Sequence, residues 1–116
     1  MRVQGESRFS GLKEYVRGYV SRAVPGMLTL LDVVSRLATS VDAISLLFSS
    51  PSKLYQVTLF HYRDMCTADI VFKLLFVNPI ASYLGNHSLA EELLHLAKVG
   101  RDREFLEVIE KRLAMK

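Results

Sequence analysis

Apolar residues recur along this chain with the three- and four-residue intervals of an α-helix. In residues 27–48 these intervals alternate and form one stripe along a helix: Met27, Leu30, Val34, Leu37, Val41, Ile44 and Phe48. The segments 9–23 and 54–75 have nearly the same spacing, and no segment sustains the period of two that marks a strand. The pattern therefore predicts an all-α protein.

Proline, glycine and capping residues divide this pattern into about five helices. Ser50 before Pro51 is typical of a helix start, because a serine oxygen can accept a free backbone N–H and proline lacks one. Ser88 followed by Glu91 predicts a capping box, and Asp102 predicts the cap of the last helix. The other boundaries fall at Pro25-Gly26, Asn78-Pro79, Gly85-Asn86 and Gly100.

We expect one domain over residues 1–116, since 13.1 kDa suits a single core. The predicted architecture is a bundle of about five helices built on a long central antiparallel helical hairpin at 27–77. A basic amphipathic helix at 1–25 precedes the hairpin, and short helices at 79–115 follow it. Stripes of this spacing pack at a shallow angle in left-handed bundles.

The second helix of the predicted hairpin, residues 51–77, is apolar around most of its circumference. As one straight helix it would extend about 40 Å, beyond the roughly 35 Å diameter of a chain of this length. A helix that is apolar on every face is surrounded by other helices. We therefore expect a homodimer or higher oligomer, with an interface formed by Val57, Leu59, Phe60, Ile70 and Val71. The alternative is that the other helices of one chain cover this helix.

The formal net charge of +3 is confined to the first 25 residues, which contain five basic and two acidic residues. On a helical wheel, Lys13 and Arg17 lie on one flank of the stripe that begins at Phe9, and Arg8 and Arg22 lie on the other. Such a helix can reach phosphates, anionic lipid or an acidic partner. A small subunit of a nucleoprotein complex, contacting the nucleic-acid backbone through these four side chains, is thus the alternative function. An ordinary solvated surface helix fits the same pattern.

Two polar residues, His61 and Asp69, lie on or beside the apolar stripe of residues 54–75, and Lys73 is a candidate partner for Asp69. Buried polar groups at the seams of helical bundles can fix register or partner choice. We interpret His61 and Asp69 as such seam residues. Cys66 lies about 140° from His61 around the helix, so we interpret its thiol as a small core residue.

The single cysteine excludes an intramolecular disulfide and a multi-cysteine zinc site, which favours a reducing, cytoplasmic location. Charged residues interrupt every N-terminal run before it reaches the length of a signal peptide. The strongest apolar stretch, residues 70–77, contains Lys73 and is far shorter than the about 20 residues that a bilayer requires. We therefore expect no transmembrane segment.

Candidate chemistry in the sequence is sparse. His87, Glu91 and His95 recur every four residues, but the apolar spacing places Glu91 and His95 on the outer side of their helix, so we expect no metal site. The chain also lacks a Gly-x-Ser-x-Gly motif, a phosphate-binding glycine loop and a Cys-x-x-Cys motif. We therefore expect a non-enzymatic structural or adaptor subunit that acts through helix packing, without a cofactor or small-molecule ligand.

Overall fold

The computed structural model describes residues 4–114, and for residues 4–8 it describes the backbone only. Within that range the chain forms helices and no β-strand, which confirms the all-α prediction. A π-helical turn, Lys73–Val77, joins the fifth and sixth helices. The helices are α1 Gln4–Ala23, α2 Met27–Thr39, α3 Ala43–Leu47, α4 Pro51–Tyr62, α5 Met65–Phe72, α6 Asn78–Leu84, α7 Leu89–Lys98 and α8 Asp102–Ala114.

Both long helices predicted for residues 27–77 are interrupted, so the straight 51–77 helix does not form. α2 ends where Ser40 adopts a left-handed φ of 69°, and α4 ends where Arg63 adopts a φ of 60°. Each restart is capped by an aspartate: Asp64 accepts the backbone N–H of Thr67 at 2.8 Å, and Asp42 caps α3 in the same way. The chain thus folds into shorter helices than its apolar spacing predicts, because local caps override that spacing.

Asn78-Pro79, predicted as a helix end, lies inside a continuous helix that runs over Met65–Leu84. Proline has no N–H to donate and its ring crowds the preceding turn. The turn directly before Pro79 is a π turn, in which the N–H of Asn78 bonds to the carbonyl of Lys73, five residues earlier. This wider turn accommodates the proline ring, and the helix therefore continues to Leu84.

The Met65–Leu84 helix, with 20 residues and a mean hydropathy of 1.4, is long and apolar enough to cross a membrane by length and composition. The expectation of no transmembrane segment was based on the apolar stretch at residues 70–77 and did not anticipate that one helix runs over Met65–Leu84. Its buried residues lie at the centre of the core, and Lys73 in its middle forms an ion pair with Glu91 of α7. Those buried residues are Ala68, Phe72, Leu75, Phe76, Val77, Ile80, Ala81 and Leu84.

The core is built around this helix by α1, α4 and α7. Helix α1 contributes Phe9, Leu12 and Val16, as its spacing predicts, together with Val20. Helix α4 contributes Leu54, Tyr55 and Val57. The radius of gyration is 13.1 Å, close to the about 13 Å expected for a globular chain of this length. Much of the apolar circumference that we attributed to a partner is therefore covered by helices of the same chain.

The N-terminus of α4 is capped by a residue of α8. Oδ1 of Asp102 accepts the backbone N–H of Ser52 at 2.8 Å, and Oδ2 accepts the hydroxyls of Ser50 at 2.7 Å and Ser52 at 3.0 Å. The predicted helix start at Ser50-Pro51 is confirmed, and Ser50 is the N-cap residue of α4. Its hydroxyl, however, accepts no N–H of α4 but donates to the Asp102 carboxylate. Asp102, expected to cap its own helix, instead joins α8 to α4.

The capping box predicted at Ser88 is also absent. Its backbone N–H and hydroxyl donate to Oδ1 of Asn86 at 3.1 Å and 2.6 Å, and its side chain makes no cap bond to α7. The asparagine side chain closes a local turn and occupies the serine. At the other end of α7, Gly100 adopts the left-handed φ of 81° expected of a glycine after a helix.

Candidate interaction surfaces

Helix α2 turns a different face to the core from the one that its spacing predicts. Its buried residues are Leu28, Leu31 and Ser35. Leu30 and Leu37, which belong to the predicted inner stripe, are 42% and 84% exposed. The helix is thus rotated so that part of the predicted core lies at the surface.

Two polar contacts explain this rotation. The hydroxyl of Ser35 donates to the carbonyl of Val41 at 2.6 Å, and Oδ1 of Asp32 accepts the backbone N–H of Ala43 at 2.9 Å. Both contacts satisfy backbone groups in the turn between α2 and α3, and a partly buried group left without such a bond costs about 1–3 kcal/mol. The sequence contains two overlapping apolar stripes on this helix, and the positions of Asp32 and Ser35 are the signal that selects between them.

The rotation leaves an outer α2 stripe, which consists of Leu30, Val33 and Leu37. Their spacing of three and four places the three side chains on one face of α2. Val33 is 51% exposed. Of the exposed residues beside the stripe, Thr29 and Ser40 carry no charge and Arg36 carries one. A row of large exposed apolar side chains of this kind is typical of a contact surface.

A second group of exposed apolar residues, which we call the α4–α5 patch, consists of Phe60, Met65, Ile70 and Leu74. Met65 lies about 140° from Ile70 around their helix, so the group extends over more than one face. Phe60 is 75% exposed, and the guanidinium carbon of Arg63 lies 5.7 Å from the centre of its ring. The exposed thiol of Cys66 is spaced by four from Ile70, which is spaced by four from Leu74, so these three share one face. The interpretation of Cys66 as a core residue is therefore wrong.

The structure separates the five residues predicted as an interface. Val57 lies in the core, whereas Leu59 and Val71 are partly buried and pack against it. Phe60 and Ile70 remain available at the surface. Val57 is covered because α4 packs against α2, α3 and α7 of the same chain, which a wheel of the isolated helix cannot show.

The two predicted seam residues have different surroundings. His61 is exposed, so it does not lie in a seam. Its ring meets the ring of Tyr62 edge-on, with 4.8 Å between the ring centres. Asp69 is half-buried and accepts hydrogen bonds from the Tyr55 hydroxyl at 2.5 Å and from Nζ of Lys98 at 2.8 Å. The partner of Asp69 is thus Lys98 rather than Lys73, and the cluster connects α4, α5 and α7.

The protonation of this cluster follows from its contacts. Burial raises the pKa of Asp69, but the hydrogen bonds from Lys98 and Tyr55 outweigh it and the net pKa is lowered. Burial, followed by the bond to Asp69, raises the pKa of Tyr55 well above its ordinary range. At neutral pH Asp69 is therefore a carboxylate and Tyr55 a protonated phenol.

An open cleft of about 310 Å³ lies beside this cluster and is lined by Asp69, Glu91, Leu94, His95, Lys98 and Val99. Its carboxylates are paired, Asp69 with Lys98 and Glu91 with Lys73. In the part of the chain that the structure describes, no three His, Cys, Asp or Glu side chains are grouped so that they could hold a metal ion. The spacing of His87, Glu91 and His95 thus does not bring them together as a ligand set.

The basic residues of α1 are partly engaged within the protein. Arg17 lies 3.3 Å from Asp42 and 3.8 Å from Asp32. Lys13 is half-buried and Arg22 is exposed, while the side chain of Arg8 lies outside the described residues. Burial raises the pKa of Asp42, but the bonds from Ser45 and the charges of Arg17 and Arg36 lower it overall. Arg17 therefore helps to hold α1 against the α2–α3 region.

No protein-family model matches the chain, and neither does any curated protein or solved structure. A function therefore has to follow from the residues and contacts described above.

Proposed function

We propose that this protein is a non-enzymatic structural or adaptor subunit that acts by packing its helices against partners, including a copy of itself. The observation that carries the proposal is the outward placement of large apolar side chains on α2 and on α4–α5. The core of the chain is already filled by its own helices, so these side chains are not required to complete it.

The chemistry of the two surfaces supports this proposal. Stable protein interfaces bury about 800 Å² per partner around an apolar centre depleted of charge. The outer α2 stripe has that composition. The α4–α5 patch adds an exposed phenylalanine beside an arginine, and interface anchors are enriched in aromatic residues and arginine. Covering such side chains yields about 25 cal/mol for each Å² of apolar surface.

Sedimentation velocity over roughly 1 to 100 μM tests the proposal, since this is a common affinity range for contacts of modest area. We expect the mass to rise above the 13.1 kDa of one chain with increasing concentration. Introducing a charge into a contact surface should prevent this rise. We therefore expect one of the two variants, Val33→Glu or Ile70→Glu, to return the protein to one chain, according to which surface forms the contact between copies. A buried unpaired carboxylate opposes association.

Val99→Glu is the matched control, because Val99 is 50% exposed and Val33 is 51% exposed, and both are valines. Val99 belongs to neither surface, so its variant should associate as the original protein does. Circular dichroism of each variant verifies that the helices are retained. A mass of one chain for the original protein up to the highest concentration, or association that neither surface variant weakens, would contradict the proposal.

The alternative function, nucleic-acid contact through α1, has less support. Arg17 is neutralised by two aspartates, which leaves Lys13 and Arg22 among the described side chains of the predicted set. Strong nucleic-acid binders neutralise about 6–10 phosphates. Binding of an RNA or DNA oligonucleotide that weakens steeply with salt, and that Lys13→Ala together with Arg22→Ala abolishes, would replace our proposal with this one.

A further inference from the structure

The apolar pattern on the outer side of α2 is the same in both directions along the helix. Leu30, Val33, Val34 and Leu37 form the sequence pattern L-x-x-V-V-x-x-L, with its midpoint between the two valines. Leu30, Val33 and Leu37 form the exposed stripe, and Val34 lies at its edge, partly buried against the core. A helix face with this symmetry can pair with an identical face.

We propose that α2 is the self-association helix of this protein and that its occupant is α2 of a second copy in antiparallel orientation. This inference rests on the proposed function and specifies its partner. In a two-fold symmetric interface, residue i of one copy contacts residue j of the other, and j contacts i. An axis at the midpoint of the pattern pairs Leu30 with Leu37 and Val33 with Val34 of the second copy. The two Val33 residues then lie only about 1.5 Å apart along the helix axis.

The charges beside the stripe favour the antiparallel orientation. Asp32 and Arg36 lie towards one side of the stripe on the helical wheel, and Met27 and Val34 lie on the other. The two-fold axis of an antiparallel pair brings like flanks together, so Arg36 of one copy comes level with Asp32 of the other. Oδ1 of Asp32 stays bonded to the N–H of Ala43, and Oδ2, which lies 3.8 Å from Arg17, is the oxygen that Arg36 would approach. A parallel pair would instead set Arg36 against the apolar flank.

Arg36 is able to make this contact. Its side chain is mostly exposed, and its distance of 3.9 Å from Asp42 in the same chain is at the long limit of an ion pair. The stripe itself carries no charge, so two copies meet without like charges at the centre of the contact. These features favour a second copy over a partner of different sequence as the occupant of this face.

The α4–α5 patch then remains for a different partner. Helix α4 packs against both α2 and α5, and Phe60 of the patch lies on α4 itself. Self-association through α2 would present two copies of the α4–α5 patch on one dimer. Such a dimer has the form expected of an adaptor, because it can hold two partner molecules at once.

Disulfide trapping tests the geometry. Every variant carries Cys66→Ser, so that the introduced thiol is the reactive one. Disulfides require Cα atoms within about 7 Å. We expect Val33→Cys to form a covalent dimer by itself. Leu30→Cys and Leu37→Cys should each remain largely uncrosslinked alone and form a mixed dimer when combined. In the antiparallel pair Leu30 lies level with Leu37 of the other copy, whereas the two copies of Leu30 are about 10 Å apart along the helix axis.

The controls separate this inference from the proposed function. Efficient crosslinking of Leu30→Cys and of Leu37→Cys alone, with no gain on mixing, would indicate parallel helices and overturn the inference. Association that survives Val33→Glu but is lost in Ile70→Glu would place self-association on the α4–α5 patch, so the inference would fail while the proposed function stands. If the original protein does not associate at all, both the inference and the proposed function fail. If the inference is correct, Val33→Glu should weaken dimerisation by about thirtyfold or more.

Discussion

Replacing Phe72 with alanine is expected to lower the free energy of unfolding by about 3–5 kcal/mol. The Phe72 side chain is fully buried, and its ring centre lies 5.6 Å from that of Tyr55 and 5.6 Å from that of Phe76. Removing the ring loses its apolar burial and leaves a cavity between α4 and the Met65–Leu84 helix. Since a domain of this size is stable by roughly 5–15 kcal/mol, the change should be plain in a urea titration followed by circular dichroism.

Leu74→Ala is the matched control for this prediction. Leu74 follows Phe72 by two residues in the same continuous helix, but its side chain is exposed. At a concentration where the protein is a single chain, its truncation should change the free energy of unfolding by about 0.5 kcal/mol or less. Equal losses for Phe72→Ala and Leu74→Ala would show that the helix does not present the Phe72 face to the core.

The helical class and several boundaries could be predicted because both are local properties. The spacing in residues 9–23 identifies the buried face of α1, where Phe9, Leu12 and Val16 are indeed in the core. Pro25-Gly26 and Gly100 mark helix ends for reasons contained in their own backbones. Signals of this kind do not depend on what packs against the helix.

The features that the sequence did not predict depend on contacts between distant segments. Asp102 caps α4 across 50 residues, and Lys98 reaches Asp69 across 29 residues. The rotation of α2 depends on backbone groups at Val41 and Ala43, beyond the end of that helix. A helical wheel contains only positions within one helix, so it cannot choose between two apolar stripes when a polar contact outside the helix decides.

The same limit affected the predicted interface. Residues 51–77 are apolar on many faces, and from this we inferred that another chain covers them. The structure covers most of those faces with α2, α3 and α7, and it exposes α2 residues that had been assigned to the core. An excess of apolar residues could thus be predicted from the sequence, whereas its location at the surface follows from the packing of all the helices.

Replacing Asp69 with alanine is expected to lower the free energy of unfolding by about 2–3 kcal/mol at neutral pH. The carboxylate accepts hydrogen bonds from Tyr55, which is 2% exposed, and from Lys98. The substitution removes a bond that links three helices and leaves the Tyr55 hydroxyl buried without this acceptor. Chemical denaturation at neutral pH measures the loss.

The pH dependence identifies the charge of Asp69 as the cause. Since its folded-state pKa is lowered, the contribution of Asp69 is present above its unfolded pKa of about 4 and is lost as the pH falls through the folded value. The pKa of Tyr55 is raised, so its contribution is present below about pH 10 and is lost as the pH rises through the folded value. The difference between the original protein and Asp69→Ala should therefore shrink in strong acid and in strong base.

Tyr55→Phe separates the two contacts of Asp69, because it keeps the buried ring and removes only the hydroxyl. The ion pair of Asp69 with Lys98 remains in this variant, so we expect a smaller loss of about 1 kcal/mol. The acid loss of stability should persist but begin at a higher pH, because the Tyr55 bond that helps to lower the Asp69 pKa is absent. The alkaline loss of stability, which requires ionisation of Tyr55, should be reduced. If Asp69→Ala and the original protein instead lost stability in parallel below pH 4, the Asp69 carboxylate would not be ionised through these contacts, and the cluster would contribute packing alone.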